Sequence, residues 1–327
     1  MLLLSESDVR KVLPMADLIP AMADALAAYS SGGVTQPVRQ VLEVGPERAY
    51  FGVMPASVES GTRAVGAKLV TVYQSNAGRG LPSHLATIVL LDPETGALEA
   101  VMDGRYITEA RTAAVSAVSV QRLARPDAST LTILGSGVQA GSHLEAIRHV
   151  RSLGEVRVWS PSAERRRAFV DTHRAETGLD VREARSAADA VRGADIVVLV
   201  TASRTPVVDD ADIAPGTHVV GVGACRPDQR EMPTALVARA RVFVDSRAGA
   251  LQEAGDIVLP IGEGAFGATH LAGELGELVA GRVDGRRSRH EITIFKSLGM
   301  AVEDVSAAAL AARRALAAGM GTTWSPA

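Results

Sequence analysis

The stretch Leu131-Thr132-Ile133-Leu134-Gly135-Ser136-Gly137-Val138-Gln139-Ala140-Gly141-Ser142-His143 has residue types and spacing suited to binding a diphosphate. An apolar run breaks at Gly135 and a helical pattern restarts after Gly137, which reads as strand, tight turn and helix. Gly135 suits the turn. Gly137 lets the main chain approach a diphosphate at the positive end of the helix, and Ala140 is small enough for that helix to pack on the strand. A glycine pair after a strand also serves as a plain turn. Here, however, Ala140, Leu144, Ile147 and Val150 recur at helical spacing, and a second strand, Val156 to Trp159, follows where a βαβ unit needs it. Gly135, Ser136, Gly137, Val138, Gln139 and Ala140 are therefore expected to hold a dinucleotide. Its ribose is normally bound by an acid after the second strand, but the chain reads Ser160-Pro161-Ser162-Ala163-Glu164-Arg165 there. Hydroxyls at Ser160 and Ser162 with Arg165 behind them suit a 2′-phosphate, favouring NADP(H) with NAD(H) still open. Alternatively, Ser160 and Pro161 cap and start a helix whose solvated face carries Arg165 to Arg167.

Two cations sit on faces that should be apolar. Strand alternation puts Lys68 with Gly66, Val70 and Val72, and helical spacing puts Arg111 with Ile107, Ala114, Val115 and Val118. A cation in such a place must snorkel, pair or line a site. Pairing with a local carboxylate is the bland account, with Glu109 the candidate for Arg111; taken together, the two suggest a pocket for a carboxylate. Arg39, beside Gln36-Pro37, is a possible third donor or an exposed strand arginine. His84 is either a proton donor or a hydrogen-bonded structural histidine.

The elements that position these residues are legible along the chain. Leu2 to Leu4 reads as a strand, and Ser5 with Asp8 resembles a capping box. A helix is expected from about Asp17, with Ile19, Met22 and Leu26 buried and Gly32-Gly33 ending it. Strand-like segments follow at Val38 to Val44, Ala49 to Val53, Val65 to Tyr73, His84 to Leu91 and Leu98 to Met102, the last two joined by a turn at Asp92 to Gly96. Consecutive strands without helices favour an antiparallel sheet. After Leu123 strands and helices alternate, with strands at Asp195 to Thr201, His218 to Val222, Val242 to Asp245 and Ile292 to Phe295, which favours a doubly wound parallel sheet. An alanine-rich helix from about Met300 to Ala318, with Val302, Val305, Leu310 and Leu316 on its apolar stripe, is expected to return to the first domain. The expectation is an α/β protein: a substrate and dimerisation domain over residues 1–122, completed by 300–327, and a Rossmann-type domain over 123–299.

Composition narrows the function. The 327 residues are 47% apolar and 22% charged with a net charge of -3, a globular chain without the basic footprint of a nucleic-acid binder. Aromatics at 3% argue against base-stacking platforms. The short apolar start Met1 to Leu4 meets Ser5-Glu6 at once, unlike a signal peptide, and no span approaches membrane length. One cysteine, Cys225, excludes an internal disulfide, and the seven histidines show no metal-ligand spacing. A cytoplasmic, metal-free protein is expected.

With these residues in place, the chain resembles the ornithine cyclodeaminase and mu-crystallin family over nearly its full length. The matching motifs are Gly66-Ala67-Lys68-Leu69-Val70, Leu81-Pro82-Ser83-His84, Met102-Asp103-Gly104, Arg111-Thr112-Ala113-Ala114, Gly135-Ser136-Gly137-Val138-Gln139-Ala140, Val222-Gly223-Ala224 and Phe295-Lys296-Ser297-Leu298-Gly299. The resemblance implies a nucleotide-binding domain, a dimerisation and substrate domain built from both chain ends, and a homodimer. It also implies that Arg39, Lys68 and Arg111 hold a substrate carboxylate, with Thr201 and Leu298 joining the nucleotide-binding set. In the cyclodeaminases and archaeal alanine dehydrogenases of the family an aspartate follows the Val-Gly-small motif; this chain has Cys225 there. A neutral thiol does not pair with an ammonium as a carboxylate does. Otherwise Cys225 is a small buried residue at a strand end. The ketimine reductases of the family also lack the aspartate and resemble this chain at Pro82-Ser83-His84, Arg226-Pro227-Asp228 and Asp245-Ser246-Arg247. The expectation is an NAD(P)H-dependent reductase of small 2-imino acids, cyclic ketimines foremost. A cyclodeaminase, an alanine or iminosuccinate type reductase and a non-catalytic nucleotide-binding protein are the alternatives.

Overall fold

The computed structural model describes residues 1–47 and 49–325. The chain divides into two compact units, Met1–Arg111 with Gly299–Ala327, and Thr112–Leu298. Residues 326–327 of the expected C-terminal span lie outside the described residues. In chain order the first unit holds β1 (Leu2–Leu4), α1 (Glu6–Val12), α2 (Met15–Ser30), β2 (Val34–Thr35), β3 (Gln40–Val44), β4 (Ala49–Val58), β5 (Ala64–Val72), β6 (His84–Leu91) and β7 (Leu98–Asp103). Helix α3 (Arg105–Leu123) then runs through the division, which falls at Arg111–Thr112. The change of pattern expected near Leu123 marks where that helix ends, since periodicity has no signal for a division inside a helix.

The second unit continues with β8 (Thr130–Leu134), α4 (Val138–Arg148), β9 (Glu155–Trp159), α5 (Ala163–Thr177), β10 (Val181–Glu183), α6 (Ala187–Val191), β11 (Ile196–Leu199), β12 (His218–Gly221), α7 (Thr234–Arg239), β13 (Arg241–Val244), α8 (Arg247–Glu253), α9 (Gly255–Gly262), β14 (Leu271–Glu274), α10 (Leu275–Val279) and β15 (Thr293–Lys296). The chain returns to the first unit with α11 (Ala301–Ala317) and β16 (Thr322–Thr323).

The first sheet runs β16-β1-β7-β6-β5-β4-β2, with β3 also on β4. Strands β4 to β7 are antiparallel neighbours, and Asp92 closes the β6–β7 hairpin by accepting from the Glu94 and Thr95 amides. The sheet is nonetheless mixed, because β1 lies parallel to β7. Two helices and five strands separate those partners in sequence, the long connection a parallel pair requires and one that neighbouring-strand patterns do not reveal. Alternation holds in β5: Gly66, Lys68 and Val70 are buried while Leu69 is exposed. Helix α11 packs on α2 and against β4 and β5.

The stripe expected on α11 needs correction. Val302 and Val305 are buried, but Leu316 is exposed and Leu310 only half-buried. The buried face is completed not by leucines but by Glu303 and Asp304 and by alanines, among them Ala307, Ala308, Ala311, Ala312 and Ala315. Small residues let the helix lie close to its neighbours, and the large leucines are turned outward.

The second sheet runs β10-β9-β8-β11-β12-β15-β13-β14, every pair parallel. Its central strands read as continuous apolar runs because helices cover both faces; Ile196, Val197, Val198 and Leu199 are all fully buried. This is an α/β fold with two sheets, one Rossmann-type and one mixed and mainly antiparallel. Among the described residues no single helix is long and apolar enough to cross a membrane.

Candidate active site

In the second unit the β8–α4 turn has the form the glycine pattern demands. Gly135 has φ +129°, and a Cβ there would lie 2.7 Å from the Val200 carbonyl oxygen, so both conformation and crowding require glycine. Gly137 is the N-cap of α4, has no side-chain cap and has open space where a Cβ would stand. The first-turn amides of Val138 and Gln139 therefore open onto an uncrowded helix N terminus, an arrangement that fits a diphosphate. Ala140 is fully buried, as close helix–sheet packing requires.

After β9 the serines are engaged locally. Ser160 Oγ lies 2.7 Å from Ser136 Oγ, and Ser162 caps α5 by accepting from the Arg165 amide at 3.3 Å. Ser162, rather than Ser160, is thus the helix cap. Arg166 donates to the Ser160 carbonyl and pairs with Glu183 at 3.3 Å. Arg165 is exposed, and only its backbone amide makes one of these bonds.

Thr201 follows β11, and its amide and hydroxyl both donate to Glu231 Oε1 at 2.7 Å. Glu231 Oε2 accepts from the amides of Gly223 at 2.6 Å and Ala224 at 3.3 Å, so one buried carboxylate ties together the ends of two adjacent strands. Asp256 in turn accepts from the Glu231 and Met232 amides and lies 3.1 Å from Lys296 Nζ. Burial pulls Lys296 down, but Asp256, Cys225 and Glu231 outweigh it and hold the amine above its ordinary pKa. The Leu298 amide donates to Asp245 Oδ2 at 2.5 Å. Cys225 is exposed, contrary to the expectation of a buried strand-end residue, and its Sγ donates to the Val222 carbonyl at 3.2 Å. It stands in the loop after β12, beyond the last sheet pair.

In the first unit Lys68 and Arg111 come together on one carboxylate. Asp304 Oδ2 lies 2.7 Å from Lys68 Nζ and its Oδ1 accepts from Arg111 Nε at 2.9 Å; Glu303 Oε2 accepts from Arg111 Nη1 at 2.6 Å. Asp304 and Glu303 are fully buried, with Lys68 at 2% and Arg111 at 4% exposure, values that leave bulk water almost no part in screening these charges. Glu109, the expected local partner of Arg111, pairs instead with Arg10 and Arg105, each at 3.4 Å. Arg39 precedes β3, is half-buried, and donates from Nη2 to the Gly299 carbonyl at 3.0 Å. Gly299 has φ +81°, and a Cβ there would fall 2.3 Å from Arg111 Nη1, so glycine is needed for the guanidinium to lie where it does.

Burial pulls Lys68 down to about 8, with Asp304 opposing and Arg111 and Arg39 reinforcing the fall. Although burial raises Asp304, Arg111 and Lys68 outweigh it and hold its carboxyl below the ordinary range. His84, at the start of β6, is pushed down to about 4 by burial and by the charges of Lys68 and Arg111. It is therefore a neutral imidazole at pH 7, able to donate a hydrogen bond but not to supply a proton from an imidazolium.

Asp304, Glu303, Glu231 and Asp256 are absent from the set read off the sequence. Asp304 had a signal: Ala301, Asp304, Val305 and Ala308 share one helical stripe, the same anomaly that marks Arg111. Glu231 and Asp256 lie in irregular or short segments where no period exists to violate.

The sequence profile of the ornithine cyclodeaminase/mu-crystallin family matches residues 1–319. Ketimine reductase mu-crystallin of Mus musculus is 44% identical over 296 residues, covering 90% of each chain. The structure of Thermococcus litoralis Delta(1)-pyrroline-2-carboxylate reductase in complex with NADH and L-proline is 38% identical and superposes with a TM-score of 0.96, over 99% of this chain and 100% of that one. An archaeal alanine dehydrogenase dimer with bound NAD is 32% identical with a TM-score of 0.94, over 99% of both chains. By profile, sequence and fold alike, the chain belongs to the ornithine cyclodeaminase/mu-crystallin family.

Proposed function

We propose that this enzyme is an NAD(P)H-dependent reductase of small cyclic 2-imino acids, with pyrroline-2-carboxylate and piperideine-2-carboxylate as substrates and L-amino acids as products. The reaction converts a C=N double bond to a C–N single bond: hydride adds to the imine carbon and a proton ends on the nitrogen. NAD(P)H, when bound through the β8–α4 turn, supplies the hydride. Arg39 and Arg111 grip the substrate carboxylate, and the planar fork of Arg111 is kept in one orientation by Glu303 and Asp304. Lys68, with a pKa drawn down to about 8, holds the proton for the imine nitrogen close to the working pH, where a general acid is most effective. His84 serves as a neutral hydrogen-bonding neighbour.

Cys225 carries the choice of reaction. Closing ornithine or lysine onto an imine requires a group that orients or deprotonates the distal amine, a task for a carboxylate, whereas reducing a ring already closed does not. The similarity to ketimine and pyrroline-2-carboxylate reductases supports the same choice. For the nucleotide, the absence of an acid at Ser160 and the exposed Arg165 favour NADPH over NADH. A homodimer suits the first sheet, where all of β3 is exposed and Val41, Leu42, Val44, Leu69 and Leu85 present apolar side chains outward.

The test is a panel of imino acids with NADPH and NADH, read by loss of reduced nucleotide. Oxidation with the cyclic imines, and no proline or pipecolate from ornithine or lysine with oxidised nucleotide, is the expected result. Conversion of ornithine to proline with release of ammonia, and no turnover of cyclic imines, overturns the proposal.

A further inference from the structure

We propose that Asp304 is a positioning residue that keeps Lys68 an ammonium and fixes the guanidinium of Arg111, so that one buried carboxylate sets both the charge and the geometry of the substrate-facing cations. The inference rests on the roles given above to Lys68 and Arg111. It begins from the division of labour between two oxygens: Oδ2 faces Lys68 Nζ at 2.7 Å and Oδ1 faces Arg111 Nε at 2.9 Å. Because Asp304 has no exposure and sits in the first turn of α11, its side chain is fixed by the packing of that helix on β4 and β5. The start of the helix is itself tied down, since the Val302 amide donates to Gln36 Oε1 at 2.8 Å.

The charges around Lys68 make Asp304 hard to replace. From α3 comes Arg111, from the segment before β3 comes Arg39, from β6 comes the neutral His84, and from α11 come Asp304 and Glu303. Glu303 engages Arg111 through Nη1, and Asp304 is in direct contact with Lys68 through Oδ2. Without Asp304, Lys68 would lose the carboxylate it touches while Arg111 and Arg39 still lower its pKa. Both desolvation and like charge then drive the proton off, and the amine would be neutral at the pH where the ammonium is needed.

The chain's lysines are Lys11, Lys68 and Lys296, so lysine labelled with 13C at Cε gives a side-chain spectrum simple enough to titrate residue by residue, with Lys68→Met supplying the assignment. This readout needs neither substrate nor nucleotide. In wild type, Lys68 is expected to titrate near 8 and kcat/KM for a cyclic imine to fall as pH rises through the same value. In Asp304→Asn the midpoint of Lys68 is expected to drop by about one to three pH units, and kcat/KM at pH 7.5 to drop about three- to two-hundredfold through loss of the ammonium. Lys68 titrating in Asp304→Asn as it does in wild type overturns the proposal. Asp304→Glu is the second arm, and serves alone should the asparagine variant fail to fold: it restores the charge and the alkaline limb but displaces Arg111, so KM is expected to rise about tenfold while the Lys68 midpoint stays near the wild-type value. A wild-type KM in Asp304→Glu overturns the positioning role. If wild type reduces none of the imino acids, the reductase reading fails, while the titrations of Lys68 still decide the inference about Asp304.

Discussion

Each unit of this protein buries a lysine against an aspartate, and the two pairs are drawn in opposite directions. Lys68 faces Asp304 at 2.7 Å and its pKa falls to about 8; Lys296 faces Asp256 at 3.1 Å and its pKa rises. Burial penalises both ammonium groups, so the partner residue and the desolvation do not explain the contrast. The remaining neighbours do. Arg111 shares the carboxylate of Lys68 and Arg39 adds a further cation, whereas Lys296 has Glu231 beyond its aspartate. A surplus of cations makes an amine that gives up its proton near neutral pH, and a surplus of anions makes one that keeps it. The first suits chemistry; the second suits holding strand ends in place.

The largest expected effect separates the two lysines directly. Lys68→Met is expected to reduce kcat/KM for a cyclic imine about a hundred- to ten-thousandfold with nucleotide affinity unchanged, because it removes the proton source while Asp304 keeps Arg111 as its partner. Lys296→Met leaves Asp256 buried without its cation, and is expected to lower the free energy of unfolding by about 3–5 kcal/mol in a denaturant titration. If the losses are exchanged, with Lys68→Met unfolding the protein and Lys296→Met costing only catalysis, the two lysines do not divide chemistry from structure in this way.

A smaller effect tests whether the first unit's cations act through shape as well as charge. Arg111→Lys keeps the charge but gives up the two-pronged donor, so about a ten- to hundredfold loss in kcat/KM is expected, with nucleotide binding as in wild type. Kinetics identical to wild type would reduce Arg111 to a counter-ion for Glu303 and Asp304.

The smallest effect belongs to the second unit and to nucleotide choice. Arg165→Ala is expected to weaken NADPH binding by up to about tenfold and leave NADH binding alone, since an exposed arginine on a phosphate is partly screened by water. In wild type, NADPH is expected to raise the melting temperature more than NADH at equal concentration. A larger rise with NADH would count against Arg165 and in favour of an unphosphorylated ribose.

The chain's own pattern determined a good deal. The glycine turn, the capping box at Ser5, the alternation in β5 and the alternation of strands with helices after Leu123 are local or periodic, and each was legible because neighbouring residues enforce it through backbone geometry or a shared face. Lys68 and Arg111 announced themselves the same way, as charges that violate an apolar period. What bound them was a matter for the tertiary structure alone. Asp304 and Glu303 lie 192 to 236 residues from their partners, and no spacing rule reaches that far; local proximity pointed to Glu109, which serves Arg10 and Arg105 instead. The parallel pairing of β1 with β7, the alanine face of α11 and the carboxylate of Glu231 spanning Thr201 and Gly223 were decided likewise. In each, the energy comes from burying one segment against another distant in sequence, and only the packed chain determines which surfaces meet.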